Sequence, residues 1–197
     1  MIAKQPKPKT CRNAACSIKF IPQRLGQAVC SPACALATKD VNLQKARKSL
    51  AQVERREIKV RKEKLKSRAD HAREAQAVLN RYVRLRDAHL GCISCDKPAN
   101  WGGQWHCSHF RSVGAAAHLR FNLWNMNKSC SQCNTHLSGN IMVYRPRLVE
   151  KIGAEKVEWL ECNQDLVRHE IPYLKRLKAI FAKKCRRLEA RIQCNAA

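Results

Sequence analysis

Acidic residues are scarce in this chain. Only 15 Asp and Glu stand against 39 Lys and Arg over 197 residues, a formal net charge of +24. That imbalance argues against a cationic target and exceeds what solubility requires. It points to a polyanion, nucleic acid first, because neutralised phosphates release their counterions. A ribosome-associated protein would carry the same excess, so charge names the class of partner and not the task. Long apolar runs are also missing: no stretch reaches the eighteen residues of a membrane-spanning helix. The start, MIAKQPKPKTCR, has basic residues with no apolar core behind them, unlike a secretory signal. A cytosolic setting is expected.

Proline and glycine are both absent from Lys39 to His89. Ala, Lys, Arg, Glu, Gln and Leu dominate there, which predicts one long helix or two in sequence. Apolar residues are sparse early (Leu43, Leu50, Val53, Ile58, Val60) and cluster later (Val78, Leu79, Tyr82, Val83, Leu85). The front is expected to be a solvated basic rod and the back to pack on something. Thirteen Lys and Arg against five Asp and Glu between Lys39 and Arg73 suit a phosphate-tracking arm, or an exposed charged helix or coiled coil.

Cysteine is abundant, at 12 residues. In a reducing compartment that number argues for metal rather than disulfides. Cys11, Cys16, Cys30 and Cys34 are spaced C-x4-C-x13-C-x3-C around a partly alternating segment that suits a small hairpin. Two close thiolate pairs predict a tetrahedral zinc knuckle, the other reading being four unrelated thiols. Cys92, Cys95, Cys130 and Cys133 form C-x2-C…C-x2-C with 34 residues between the pairs. This spacing predicts a structural zinc site that pins both ends of the enclosed segment. Cys162, Cys185 and Cys194 have no partner spacing and read as ordinary thiols.

The enclosed segment holds His106, His109, Arg111, His118, Arg120, Asn122 and Asn125, with Asn134 and His136 just beyond. Imidazoles, amides and guanidiniums in this density are what phosphodiester hydrolysis needs: a base for water, ligands for a divalent cation, and charge for the phosphate. Plainer roles compete. His106 or Cys107 could be extra zinc ligands, His109 a buried hydrogen-bonded histidine, Asn125 the cap of the zinc-bearing helix. His136 could replace Asn134. Trp101, Trp105, Phe121 and Trp124 read as core filling, or, if exposed, as a stacking surface for an unpaired base.

The order His109…Asn125…Cys130-x2-Cys133-Asn134 resembles the HNH (ββα-metal) nuclease motif. The words CISC (92–95), QWHCSHFRS (104–112), LRFN (119–122), NMNKSCSQCN (125–134) and SGN (138–140) resemble more closely the lambdoid-phage NinG (Rap) family of recombination endonucleases. The resemblance implies an α+β fold: a small zinc-bound ββα (HNH-like) core with long basic helices and an N-terminal four-cysteine zinc knuckle. It divides the chain into the knuckle (1–38), a basic helical linker or arm (39–89), the nuclease core (90–146) and a C-terminal helical extension (147–197). It implies an endonuclease acting on branched DNA such as Holliday junctions and D-loops in the host cytoplasm, with a homodimer suited to symmetric cutting. The rival from another class is a zinc-stabilised nucleic-acid binder without catalysis.

On this resemblance His109 is the general base and Asn125 orients it. His106 and Asn134 hold one catalytic divalent metal, Mg²⁺ or Mn²⁺, while Arg111 and Arg120 contact phosphate. Two departures stand out. The family pattern has an aspartate where this chain has His106, which leans the metal from Mg²⁺ towards Mn²⁺ or a later transition metal. Ser108 replaces a glycine in the turn before His109.

Overall fold

The computed structural model describes residues 7–165 and 167–196; of the basic start, residues 1–6 lie outside them. The chain groups into two compact units, residues 1–65 and 66–197, where the sequence suggested four segments.

In the first unit, strands β1 (Lys9–Thr10) and β2 (Lys19–Phe20) pair antiparallel, Lys9 opposite Phe20. Helix α1 (Pro32–Ala37) begins with Pro32 at its first position, and the Ser31 hydroxyl accepts from the Cys34 N–H at 3.3 Å. Helix α2 (Lys39–Lys64) follows with no buried residue among its 26. At about 1.5 Å per residue it is a rod of roughly 39 Å. Its cohesion comes from helix-favouring composition and from Arg61, Lys62 and Lys64 set against the negative end of its dipole.

The helical run breaks at Leu65–Ser67 with neither proline nor glycine. A capping box starts the next helix, α3 (Arg68–Arg86): the Ser67 hydroxyl accepts from the Asp70 N–H, and the Asp70 carboxylate accepts from the Ser67 N–H at 2.9 Å. The residues read as the back of a linker thus open the second unit. Ala72, Ala75, Leu79 and Val83 line one face of α3 and are buried with Leu174 and Phe181 of helix α7 (Ile171–Ala196). The pairs Glu74–Lys178, Val78–Cys185 and Arg81–Glu189 advance together, so the two helices run parallel. The C-terminal helix is therefore half of a core and not an appendage.

Strands β3 (Trp105–His109) and β4 (Met126–Cys130) form an antiparallel pair with Trp105 opposite Cys130 and His109 opposite Met126. Helix α4 (Ser131–Thr135) leaves β4 directly, giving a strand–strand–helix order. Helices α5 (Ile141–Ile152) and α6 (Ala154–Cys162) bury Tyr144, Leu148, Val157 and Leu160 against Phe110, Ala116 and Leu119 of the β3–β4 connection. Gly153, at φ 91°, makes the break between them. Pro146 lies inside α5 rather than ahead of it. Its missing N–H leaves the carbonyl of Met142, an exposed residue, without a helical donor, so the helix tolerates it. The class is mixed α and β, with two-stranded sheets only among the described residues.

A buried polar network ties these pieces together. Asp87, 3% exposed, ends α3. It accepts two bonds from Arg86 (2.8 and 2.7 Å), one from Lys151 of α5 (2.8 Å) and one from the Lys128 N–H of β4 (3.3 Å).

Candidate functional site

Each cysteine quartet brings four sulfurs within 4.8 Å of one another. In the first, Cys16 and Cys30 lie 3.5 Å apart and Cys30 and Cys34 3.7 Å; in the second, Cys95 and Cys130 lie 3.8 Å apart. Four thiolates about 2.3 Å from one zinc ion stand roughly 3.8 Å apart, whereas a disulfide would need about 2.0 Å. The donor sets fit Zn²⁺. Hydrogen bonds to sulfur support the thiolate form: Asn13 Nδ2 to Cys34 (3.4 Å), and the N–H groups of Cys130 and Ser94 to Cys92 (3.2 and 3.4 Å) and of Cys133 to Cys130 (3.4 Å). With four cysteines each, the sites are complete. His106 and Cys107 belong to neither quartet.

The second quartet locates the next pieces. Cys130 ends β4 and Cys133 lies in α4, so Asn134 is set one residue past a ligand. Its amide nitrogen lies 3.2 Å from His106 Nδ1 of β3. Both residues line a cavity of about 410 Å³, together with Asn80 and Arg84 of α3, Gln104, Trp105 and Cys107. His136 is exposed at the end of α4 and is not part of this wall. No carboxylate lines the cavity among the described residues. A cation there would meet an imidazole nitrogen and an amide oxygen, a donor set that suits Mn²⁺ or a later metal better than Mg²⁺.

His109 ends the same strand, three residues on. Alternation along a strand sends such side chains to opposite faces, and His109 is absent from the residues lining the cavity. Its Nε2 lies 3.0 Å from the Arg120 carbonyl. A carbonyl only accepts, so Nε2 carries the hydrogen and Nδ1 keeps its lone pair. Burial pushes this imidazole below the ordinary histidine value, although the carbonyl bond pulls the other way. The ring is thus a neutral base in one tautomer.

Two polar paths connect the base to its surroundings. Arg120 Nε donates to Gln76 Oε1 (3.1 Å), and Gln76 Nε2 donates to Asn80 Oδ1 (2.7 Å), which returns to the cavity. Gln76, Asn80 and Arg84 are one helical stripe of α3. Asn125, fully buried, supplies the second path. Its Oδ1 accepts from the Arg111 N–H (2.8 Å), and its Nδ2 donates to the carbonyls of Arg111 (3.0 Å) and Leu119 (3.2 Å). It clamps the chain leaving β3 to the turn that carries Arg120. Asn125 is not the cap of α4; Cys130 is.

The arginines read as phosphate contacts are put to other uses. Arg111 Nη1 donates to the carbonyls of Leu160, Glu161 and Asn163 at 3.0, 3.1 and 2.9 Å, closing the end of α6. Arg120 is half-buried on Gln76 beside the Phe121 ring. His118 points to the Asn163 carbonyl (3.1 Å). Asn80 and Arg84 escaped the sequence reading. Their period-four spacing was visible, but not which neighbour that stripe of α3 meets.

A family description, Bacteriophage Lambda NinG protein, matches residues 3–191. The chain belongs to the NinG family. The chain is 37% identical to Protein ninG of Escherichia phage lambda over 199 residues, covering 95% of this chain and 96% of the relative. It is 35% identical to Protein ninG of Salmonella phage P22, covering 91% and 93%. To Protein ninG of Escherichia phage 933W it is 37% identical over 131 residues. No solved structure matches the chain. The NinG match takes in both cysteine quartets, the basic rod and every residue of the His106–Asn134 cavity.

Proposed function

We propose that this NinG-family chain is a metal-dependent endonuclease of HNH type that cuts branched DNA during phage recombination in the host cytoplasm. The observation that carries the reading is the β3 strand itself. It ends in a neutral histidine, His109, pinned in one tautomer with Nδ1 free, and it presents His106 to Asn134 beside a four-cysteine centre. A purely structural role for His109, a buried ring bonded to the Arg120 carbonyl, is the alternative that the test below separates.

In this reading Nδ1 of His109 takes the proton of a water attacking phosphorus, and the Arg120 carbonyl steadies the imidazolium through Nε2. Asn125 holds the strand end so that the ring keeps its aim. His106 and Asn134 would hold a divalent cation, Mn²⁺ or Mg²⁺, which supplies positive charge at the phosphate. The P–O3′ bond breaks as the new P–O bond forms, the leaving 3′ oxygen takes its proton from solvent water, and the product carries a 5′ phosphate. By strand alternation His106 and His109 point to opposite faces of β3, and the cavity reaches both faces because Cys107 lines it as well as His106, so the scissile phosphate has to lie across the strand end. Two chains acting together suit paired cuts across a four-way junction.

The test compares wild type with His109→Ala on a four-way junction in Mn²⁺, in Mg²⁺ and with no divalent cation added. Wild type is expected to cut with metal only, and the variant to bind equally and cut at least about a hundredfold more slowly. Because burial lowers the pKa of His109, the base stays active to more acid pH than a free imidazole. The acid limb of the cutting rate should fall below about pH 6.5. Equal cutting by both proteins removes His109 as the base. Silence of the wild type in every metal leaves the second reading, a zinc-stabilised DNA-binding protein, which the net charge of +24 supports on its own.

A further inference from the structure

The cavity holding His106 and Asn134 has one unsatisfied cation in its wall. On α3, Arg73, Arg81 and Arg86 are each paired with a carboxylate: Asp70, Glu189 and Asp87. Arg111 and Arg120 are bound to carbonyls and to Gln76. Arg84 is half-buried in the same stripe and has no hydrogen bond or ion pair among the described residues. A guanidinium drawn partly out of water needs acceptors, and a fork of donors suits a pair of oxygens on one phosphorus.

Its position adds a direction. Arg84 and Trp105 also line a second cavity, of about 420 Å³, whose wall includes Lys128. The Lys128 ammonium sits 4.1 Å from the centre of the Trp105 ring and donates to the Ala88 carbonyl at 3.1 Å. Arg84 therefore stands on the partition between two open cavities, each with polar walls and neither lined by a carboxylate among the described residues.

We propose that Arg84 is the phosphate-gripping residue of this site, holding a backbone phosphodiester against the His106–Asn134 pair while the strand continues towards Lys128. Its consequence for cutting rests on the endonuclease reading; its contact with phosphate does not. The side chain leaves a helix whose neighbouring turns are tied by the Gln76–Asn80 bond, and its guanidinium has no partner among the described residues to give up when a phosphate binds.

Two measurements on the full-length protein separate the two claims. The first is the salt dependence of binding to a four-way junction, with no divalent cation added so that cutting is suppressed while the structural zinc stays in place, for wild type, Arg84→Ala and Arg84→Gln. Loss of one phosphate contact should lower the slope of log K against log[salt] by about 0.9 on duplex arms. The second is the single-turnover cutting rate in Mn²⁺. Arg84→Ala should slow it by roughly 100- to 1000-fold, and Arg84→Lys should recover part of that loss. Zinc content and thermal melting matched to wild type show that the variants fold. An unchanged salt slope in both Arg84→Ala and Arg84→Gln overturns the assignment, whatever the cutting rate. A lowered slope with a wild type that cuts nothing keeps the phosphate contact and discards the nuclease.

Discussion

Asn125 shows how much a single amide can decide. It satisfies three main-chain groups at once with no exposure, and the turn it clamps bears the carbonyl that fixes the tautomer of His109. Asn125→Asp puts an acceptor where two carbonyls need a donor. It should cost about 2–3 kcal/mol in urea unfolding and slow cutting more than it weakens binding. Asp87 makes a different prediction. Burial alone would raise its pKa, but the bonds from Arg86 and Lys151 bring it below the usual carboxylate range. A folded pKa below the unfolded one contributes stability above about pH 4, and that contribution is lost as pH falls through the folded value. Asp87→Asn should cost about 3–5 kcal/mol at pH 7, since it leaves Arg86 and Lys151 uncompensated. Measured across pH, the gap to wild type should close in acid. A constant gap would show that the charge of Asp87 is not what matters.

Helix α2 is the cleanest case at the level of elements. None of its residues is buried, so Leu50→Ser or Val53→Ser should change stability by less than about 0.5 kcal/mol. Replacing Lys45, Arg47, Lys48, Arg55 and Arg56 by Gln should flatten the salt dependence of DNA binding if the rod tracks phosphates. An unchanged slope would make it a spacer. The sequence carried this rod legibly, because a helix without a partner is governed by composition alone. It also carried both cysteine quartets, where ligand spacing is a local constraint. The limit lay where one element meets another. Ser67-x-x-Asp70 was a readable capping box, yet only packing reveals that the helix after it belongs to the core. The motif that puts His106 and His109 in one site gives their order along β3, while strand alternation, which turns the two side chains to opposite faces, shows only once the strand is in place. Arg111 looked free until α6 was seen to end against it.

At the scale of the molecule, metal is expected to hold what a modest apolar core does not. Two zinc ions per chain should be found by native mass spectrometry, and their removal by a chelator should abolish cooperative unfolding. A single ion would argue first against the quartet of Cys11, Cys16, Cys30 and Cys34, which carries less surrounding structure. Two filled sites lower the formal charge only to about +20, so DNA binding should remain steeply salt-dependent.

The parallel pairing of α3 with α7 has a temporal consequence. Glu74 and Lys178 meet across 104 positions of sequence. During synthesis the apolar face of α3 must wait for α7 to be made before it can be covered. The helix that walls the cavity is thus covered only once α7 is made, and a nascent chain that has not reached α7 would already carry both cysteine quartets and the basic rod while lacking a finished cleft.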